Sequence, residues 1–207
     1  MKSYNQYCPL AHALDVVGER WSLLIVRELF EHDQLRYSDL HKNLAGCGTN
    51  ILATRLKELE RHGVVRRRRL PPPAASTIYE LTEYGEALRP VMHELAHWGA
   101  RSLGPPTPGE TLQSGWLKGA LEIGFPPSPT AANVEFRIGG EIASFADGVV
   151  LAGSCASPDA VVEGDASAFY ALVVHGDRSG VTIRGDADVV DRLLETLPKQ
   201  APVATPA

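Results

Sequence analysis

The 207 residues predict an α+β fold in two parts, and three observations carry that reading. Apolar side chains recur at helical spacing through most of the first hundred residues. A proline-dense segment, Gly104-Pro-Pro-Thr-Pro-Gly-Glu110, then stops the last of these helices, because proline lacks a backbone donor and disfavours helix in the residue before it. Beyond it, short strand-like runs meet at Gly-Gly and Asp-Gly turns, the pattern of β-hairpins. The expected organisation is a first domain over 1–104, a semi-extended linker over 105–111, a smaller α+β lobe over 112–198 and a patternless tail over 199–207. A further break is expected at the Pro-Pro-Ser-Pro of 126–129.

In the first domain, Pro9 to Val17 reads as a short helix with Leu10, Ala13, Leu14 and Val17 on one side. Trp21 to Phe30 continues with Leu24, Ile25, Leu29 and Phe30 at helical spacing. A short helix with Tyr37, Leu40 and Leu44 leads to a turn at Gly46–Gly48, and a second helix runs from Thr49 to His62. Ile51 or Leu52, with Leu56 and Leu59, forms the inner face of that second helix. Gly48 or Thr49 caps it, and Gly63 supplies the left-handed residue that stops it. A hairpin follows whose first strand carries Arg66 to Arg69 and whose tip, Leu70–Ser76, is stiffened by three prolines. Thr82 caps a final helix predicted to reach about Leu103, with Glu83 and Glu86 placed against its N-terminal dipole. Its stripe of Leu88, Val91, Met92, Leu95 and Trp98 is broader than one packing face requires, so part of it is expected to meet a second copy.

In the lobe, Val134–Ile138, Glu141–Ala146, Val149–Ser154 and Val161–Glu163 read as strands. A helix from Asp165 or Ser167 to Val174, a strand at Val181–Arg184 and a helix from Asp188 to Leu197 complete it, with the helices expected on one face.

The net charge of −5 conceals a split. Residues 1–104 hold 14 Lys/Arg against 12 Asp/Glu, a balance of +2, while residues 105–207 hold 6 against 13, a balance of −7. Phosphates would repel the acidic lobe, so it is expected to sit away from any nucleic-acid face. Three scattered cysteines, Cys8, Cys47 and Cys155, form no C-x-x-C pair and no disulfide framework. With no apolar run of membrane-spanning length and no charged-then-apolar leader, a cytoplasmic protein without a membrane partner is expected.

Helix, turn, helix and basic hairpin is the order in which a winged helix-turn-helix presents one helix to the major groove and a charged wing to the flanking backbone. The helix beginning at Thr49 leaves Asn50, Thr54, Arg55, Lys57 and Arg61 outside. Arginine suits guanine and asparagine suits adenine. Any amphipathic helix has a polar outer face, so the helix alone does not decide. Arg66, Arg67, Arg68 and Arg69 directly after it weigh the reading towards double-stranded DNA, because arginines pair with phosphates.

Cys8-Pro-Leu, Gly18-Glu-Arg-Trp-Ser-Leu-Leu-Ile, Arg36-Tyr-Ser-Asp-Leu, Thr49-Asn-Ile-Leu-Ala-Thr-Arg-Leu-Lys-Glu-Leu-Glu, Tyr79-Glu-Leu-Thr-Glu-Tyr-Gly and Trp98-Gly occur in that order. Over roughly residues 5–104 the chain thus resembles the HxlR-type regulators, bacterial winged-helix transcription factors related to the MarR group. The resemblance implies a homodimer built from the first and last helices and a pseudo-palindromic operator, with reading helices roughly 34 Å apart. The wing tip departs from it, carrying proline, alanine and serine where charged residues are frequent. Several such repressors respond to oxidants or electrophiles through a cysteine near the N-terminus, and Cys8 occupies the matching place. Cys47, in the turn before the reading helix, is the weaker candidate.

From Asp159-Ala-Val-Val-Glu-Gly-Asp165 through Ala168-Phe-Tyr-Ala-Leu and Val181-Thr-Ile-Arg-Gly-Asp-Ala-Asp-Val-Val to Leu193–Leu194, the lobe is similar to sterol-carrier-protein-like domains. That resemblance, spanning roughly 112–197, implies an apolar cavity for a hydrophobic small-molecule effector, lined by Trp116, Phe136, Phe145, Phe169 and Tyr170. The same aromatics would equally fill an ordinary core.

His93-Glu-Leu-Ala-His97 matches the zinc-protease pattern H-E-x-x-H, but it lacks a third ligand nearby. No Gly-rich phosphate loop or G-x-S-x-G elbow is visible, and neither enzymatic activity nor a cofactor is expected. The expected function is a DNA-binding repressor acting as a homodimer and modulated by an apolar molecule or by thiol oxidation. The alternatives are a zinc hydrolase using His93, Glu94 and His97, or a lipid-binding module without a DNA role.

Overall fold

The computed structural model describes residues 3–107, 109–110, 112–125 and 132–197. The chain divides into two compact units, Met1–Glu94 and Leu95–Ala207, a division that falls ahead of the proline-dense segment. The break expected at 126–129 and the tail from 198 lie outside the described residues.

The first unit runs α1 (Pro9–Val17), α2 (Ser22–His32), β1 (Gln34–Arg36), α3 (Tyr37–Asn43), α4 (Thr49–Arg61), β2 (Val65–Arg69), β3 (Thr77–Leu81), α5 (Glu83–Glu86) and the start of α6 (Arg89–Ala100). The strands form an antiparallel sheet in the order β1-β3-β2. Ile25 and Leu29 of α2, Leu40 of α3, and Leu52, Leu56 and Leu59 of α4 are fully buried in one core with Val64 and Val65. Each leucine contributes about 1.5–3 kcal/mol by leaving water. Of the two candidates for the inner face of α4, Leu52 turns inward and Ile51 stays exposed.

Gly48 is the residue before α4. At the other end Gly63 has a positive φ of 72°. Val64 N–H donates to the Leu59 carbonyl at 2.9 Å and Gly63 N–H to the Glu60 carbonyl at 3.0 Å. This Schellman closure directs the chain straight into β2 and so places the wing beside the end of α4.

The single long helix expected after Thr82 is two helices. Thr82 does cap: its hydroxyl accepts the Gly85 N–H at 3.0 Å and donates to the Gly63 carbonyl at 2.5 Å. But α5 ends at Glu86, and α6 begins at Arg89 with Pro90 in its first turn. A proline ring there would clash with the carbonyl of residue 86 in a continuous helix, which breaks it at Ala87–Leu88. A Cβ on Gly85 would lie 2.2 Å from the Val64 carbonyl oxygen, so only glycine lets α5 approach the start of β2 this closely.

The second unit contains the end of α6, then α7 (Trp116–Gly124), β4 (Val134–Ile138), β5 (Glu141–Ala146), β6 (Val149–Ala152), β7 (Ala160–Gly164), α8 (Ala166–His175), β8 (Thr182–Gly185) and α9 (Ala187–Glu195). The sheet order is β6-β5-β4-β7-β8, with β4 and β7 parallel and the other pairs antiparallel. Leu117 and Leu121 of α7, Phe169 and Leu172 of α8, and Val190 and Leu193 of α9 share one core with Val134, Phe136, Ile138, Phe145 and Val162. Asp165 caps α8 through the Ala168 N–H at 2.8 Å. The strands and last two helices fall within two residues of expectation. Helix α7 is an addition.

Candidate nucleic-acid interface

On α4 the exposed residues Asn50, Thr54, Lys57 and Arg61 follow at i, i+4, i+7 and i+11, one continuous stripe. It faces away from Leu52, Leu56 and Leu59. Thr54, Lys57 and Arg61 line a shallow open groove together with Glu58 and Glu60. The Thr54 hydroxyl donates to the Asn50 carbonyl at 2.8 Å. The Tyr37 hydroxyl donates to the Thr49 carbonyl at 2.7 Å, tying α3 to the first turn of α4.

Arg55 stands apart from that stripe. It lies on the flank of α4 next to the core face, with its side chain only 18% exposed. Its guanidinium pairs with Glu58 and approaches Glu19, in the turn between α1 and α2, at 3.5 Å. The sequence spacing grouped Arg55 with the outward residues. The fold gives it two carboxylates of its own chain.

The wing arginines divide by face. In the β2–β3 register Arg66 pairs with Glu80, Arg67 with Tyr79, Arg68 with Ile78 and Arg69 with Thr77. Val65, Tyr79 and Leu81 pack with the core, so Arg67 and Arg69, on their face, point towards the side occupied by α4. Arg67 Nε lies 4.0 Å from Glu60 of α4. Arg66 and Arg68 occupy the opposite face. There Arg66 Nε donates to Glu80 at 2.7 Å, and Arg68 donates to both Glu80 oxygens at 3.0 and 2.9 Å and to Gln34 at 3.4 Å.

The hydrogen bond from Arg68, with that from Arg66, holds the Glu80 carboxyl below the usual glutamate range against the opposing effect of burial. The pairing therefore adds stability above the ordinary glutamate pKa, and that contribution is lost as pH falls through the lowered value. Among the described residues no carboxylate lies within ion-pair distance of Lys57, Arg61 or Arg69.

Cys8 is exposed, immediately before Pro9 at the start of α1. Cys47 is buried in the core, and burial pushes its thiol pKa up, which disfavours the reactive thiolate. Two helices expose apolar side chains. Leu10 and Leu14 of α1 are exposed, and α6 buries none of its residues while exposing Val91, Leu95 and Trp98. His93 and His97 lie on that same helix, and no group of three metal-binding side chains occurs among the described residues.

In the lobe the aromatics proposed to line a pocket meet one another. Trp116 and Phe136 each pack edge-on against Phe169, with centroids 6.0 Å apart in both pairs, and Phe125 joins Phe136 and Phe145 at 6.2 and 6.0 Å. Tyr170 lies outside this cluster, with its ring against His175. The Trp116 indole N–H is buried without an acceptor among the described residues. No helix among the described residues is long and apolar enough to cross a membrane.

Comparison with known proteins matches residues 16–106 to the HxlR-like helix-turn-helix family. The chain is 40% identical over 91 residues to the HTH-type transcriptional regulator sll1512 of Synechocystis, covering 42% of this chain and 67% of that protein. It is 35% identical over 102 residues to the regulator YvaP of Bacillus subtilis, covering 49% of this chain and 94% of that protein. The solved reduced form of the B. subtilis regulator YodB is 34% identical, covering 46% of this chain and 94% of that one, with a TM-score of 0.42. The chain belongs to the HxlR-like family of helix-turn-helix transcriptional regulators, with an added C-terminal α+β unit of about 100 residues.

Proposed function

We propose that the protein is a repressor that binds a two-fold operator as a homodimer, reading bases with α4 and gripping phosphates with the wing. The observation that carries this is the uninterrupted stripe of Asn50, Thr54, Lys57 and Arg61, flanked by Arg67 and Arg69 on the face of the wing nearest α4. Asparagine in the first turn of such a helix is suited to the N6/N7 edge of adenine. Asn50→Ala is expected to lower affinity for the operator by about 1–3 kcal/mol and to relax preference at a single base pair. Binding selection on randomised duplexes measures this; unchanged preference at every position contradicts base reading by Asn50. The dimer contact is assigned to α1 and α6, whose Leu10, Leu14, Val91, Leu95 and Trp98 are exposed.

A redox response is assigned to Cys8. It is the exposed one of the three cysteines and stands immediately before α1, where an oxidant can reach it. Cys8→Ser is then expected to abolish the loss of DNA binding produced by diamide or peroxide, with basal affinity retained. An oxidant response that persists in this variant excludes it.

A further inference from the structure

We infer that Glu80 confines the wing's grip on DNA to Arg67 and Arg69, and so limits sequence-independent binding. The inference rests on the DNA-binding reading above and names a residue that sets its specificity. Three features support it. Arg66 and Arg68 lie on the face of the sheet opposite Arg67, the face turned away from α4. Both donate to one carboxylate, and that side chain is only 12% exposed. Gln34 of β1 holds Arg68 from the far side at 3.4 Å.

Phosphate must compete with that carboxylate. Moving either arginine to DNA strips hydrogen bonds from a largely buried anion, and leaving such a group unsatisfied is costly. Both arginines expose much of their side chains, at 65% and 48%, so shielding does not withhold them. Their pairing does: the single carboxylate offsets one of the two positive charges and accepts hydrogen bonds from both guanidiniums, so the pair offers the duplex about one net charge rather than two. Four consecutive arginines would otherwise favour every sequence equally, since phosphate contacts carry no base information. Holding two of them back leaves the base-reading stripe a larger share of the binding free energy.

The test compares the full-length wild type, E80Q, R66Q/R68Q and R67A/R69A on a random-sequence duplex, with log affinity plotted against log salt. Glutamine at 80 keeps the size and an acceptor but removes the charge. Glutamine at 66 and 68 leaves donors for Glu80, and this variant tests the inference even should E80Q fold poorly. E80Q is expected to bind random duplex more tightly, to steepen the salt slope by about one to two units, and to lose preference for operator over random DNA. R66Q/R68Q is expected to flatten the slope by no more than about one unit, against about two for R67A/R69A. An R66Q/R68Q slope as flat as that of R67A/R69A overturns the inference, as does a folded E80Q with the wild-type slope. Those outcomes leave DNA binding itself intact, whereas a wild type that holds no duplex removes both readings.

Discussion

Replacing Arg67 and Arg69 together with alanine is expected to flatten the salt slope by about two units, close to one for each lost phosphate contact. Affinity for operator and random DNA should fall together, because phosphate contacts position the protein without reading sequence. The expectation follows from the strand period. Arg67 shares a face with the core residues Val65 and Tyr79, 4.0 Å from Glu60 of α4, and Arg69 continues that face towards the tip. Both are exposed. Removing them should leave thermal stability nearly unchanged, since exposed pairs such as Arg67–Glu60 contribute only about 0–1 kcal/mol. A slope equal to wild type would remove the wing from the interface. A fall confined to the operator would mean that these side chains touch bases.

Glutamate at both Leu95 and Trp98 is expected to yield a folded monomer and to weaken operator binding by about 10²–10⁴-fold, the scale lost when two tethered contacts become independent. The side chains concerned are 44% and 69% exposed, so the charges should not disturb the chain's own core. Val91, Leu95 and Trp98 recur at i, i+4 and i+7 on α6, which makes one exposed apolar ridge on a helix that buries none of its own residues. Sedimentation gives the mass, and titration of a labelled operator gives the affinity. A double variant that remains a dimer would move the contact to another surface. A wild type that is already monomeric would remove the two-fold operator.

Much of the fold was readable because burial enforces period. The leucines of α4 and the alternation of Val134, Phe136 and Ile138 each have one arrangement that hides them, and the structure adopts it. What escaped lacks such a signal. β1 is three residues long, too short to show alternation. α7 has two glycines, Gly119 and Gly124, and adjoins a proline cluster, which hid its helical spacing. The break between α5 and α6 was signalled by Pro90, but the apolar stripe running past it suggested continuity.

The site was legible as a set of cations and less so as a set of partners. Spacing placed Asn50, Thr54, Lys57 and Arg61 outward, where they lie. It could not show that Glu19, far away in sequence, reaches Arg55. Glu80 was within reach of sequence reasoning. Counting back from the wing loop puts it opposite Arg66 on the same face, a cross-strand pair of opposite charge. The lobe's aromatics illustrate a different limit, since an inward-facing phenylalanine looks the same in sequence whether it fills a core or lines a cavity.

Hydroxyl-radical footprinting of the full-length protein on fragments of its own genome, at modest ionic strength, bears most directly on the DNA-binding proposal. Two protected stretches related by a two-fold axis, roughly 34 Å apart and occupied by two chains, are the expected result. Failure to retain any double-stranded fragment, or protection of one isolated patch by a single chain, would contradict it.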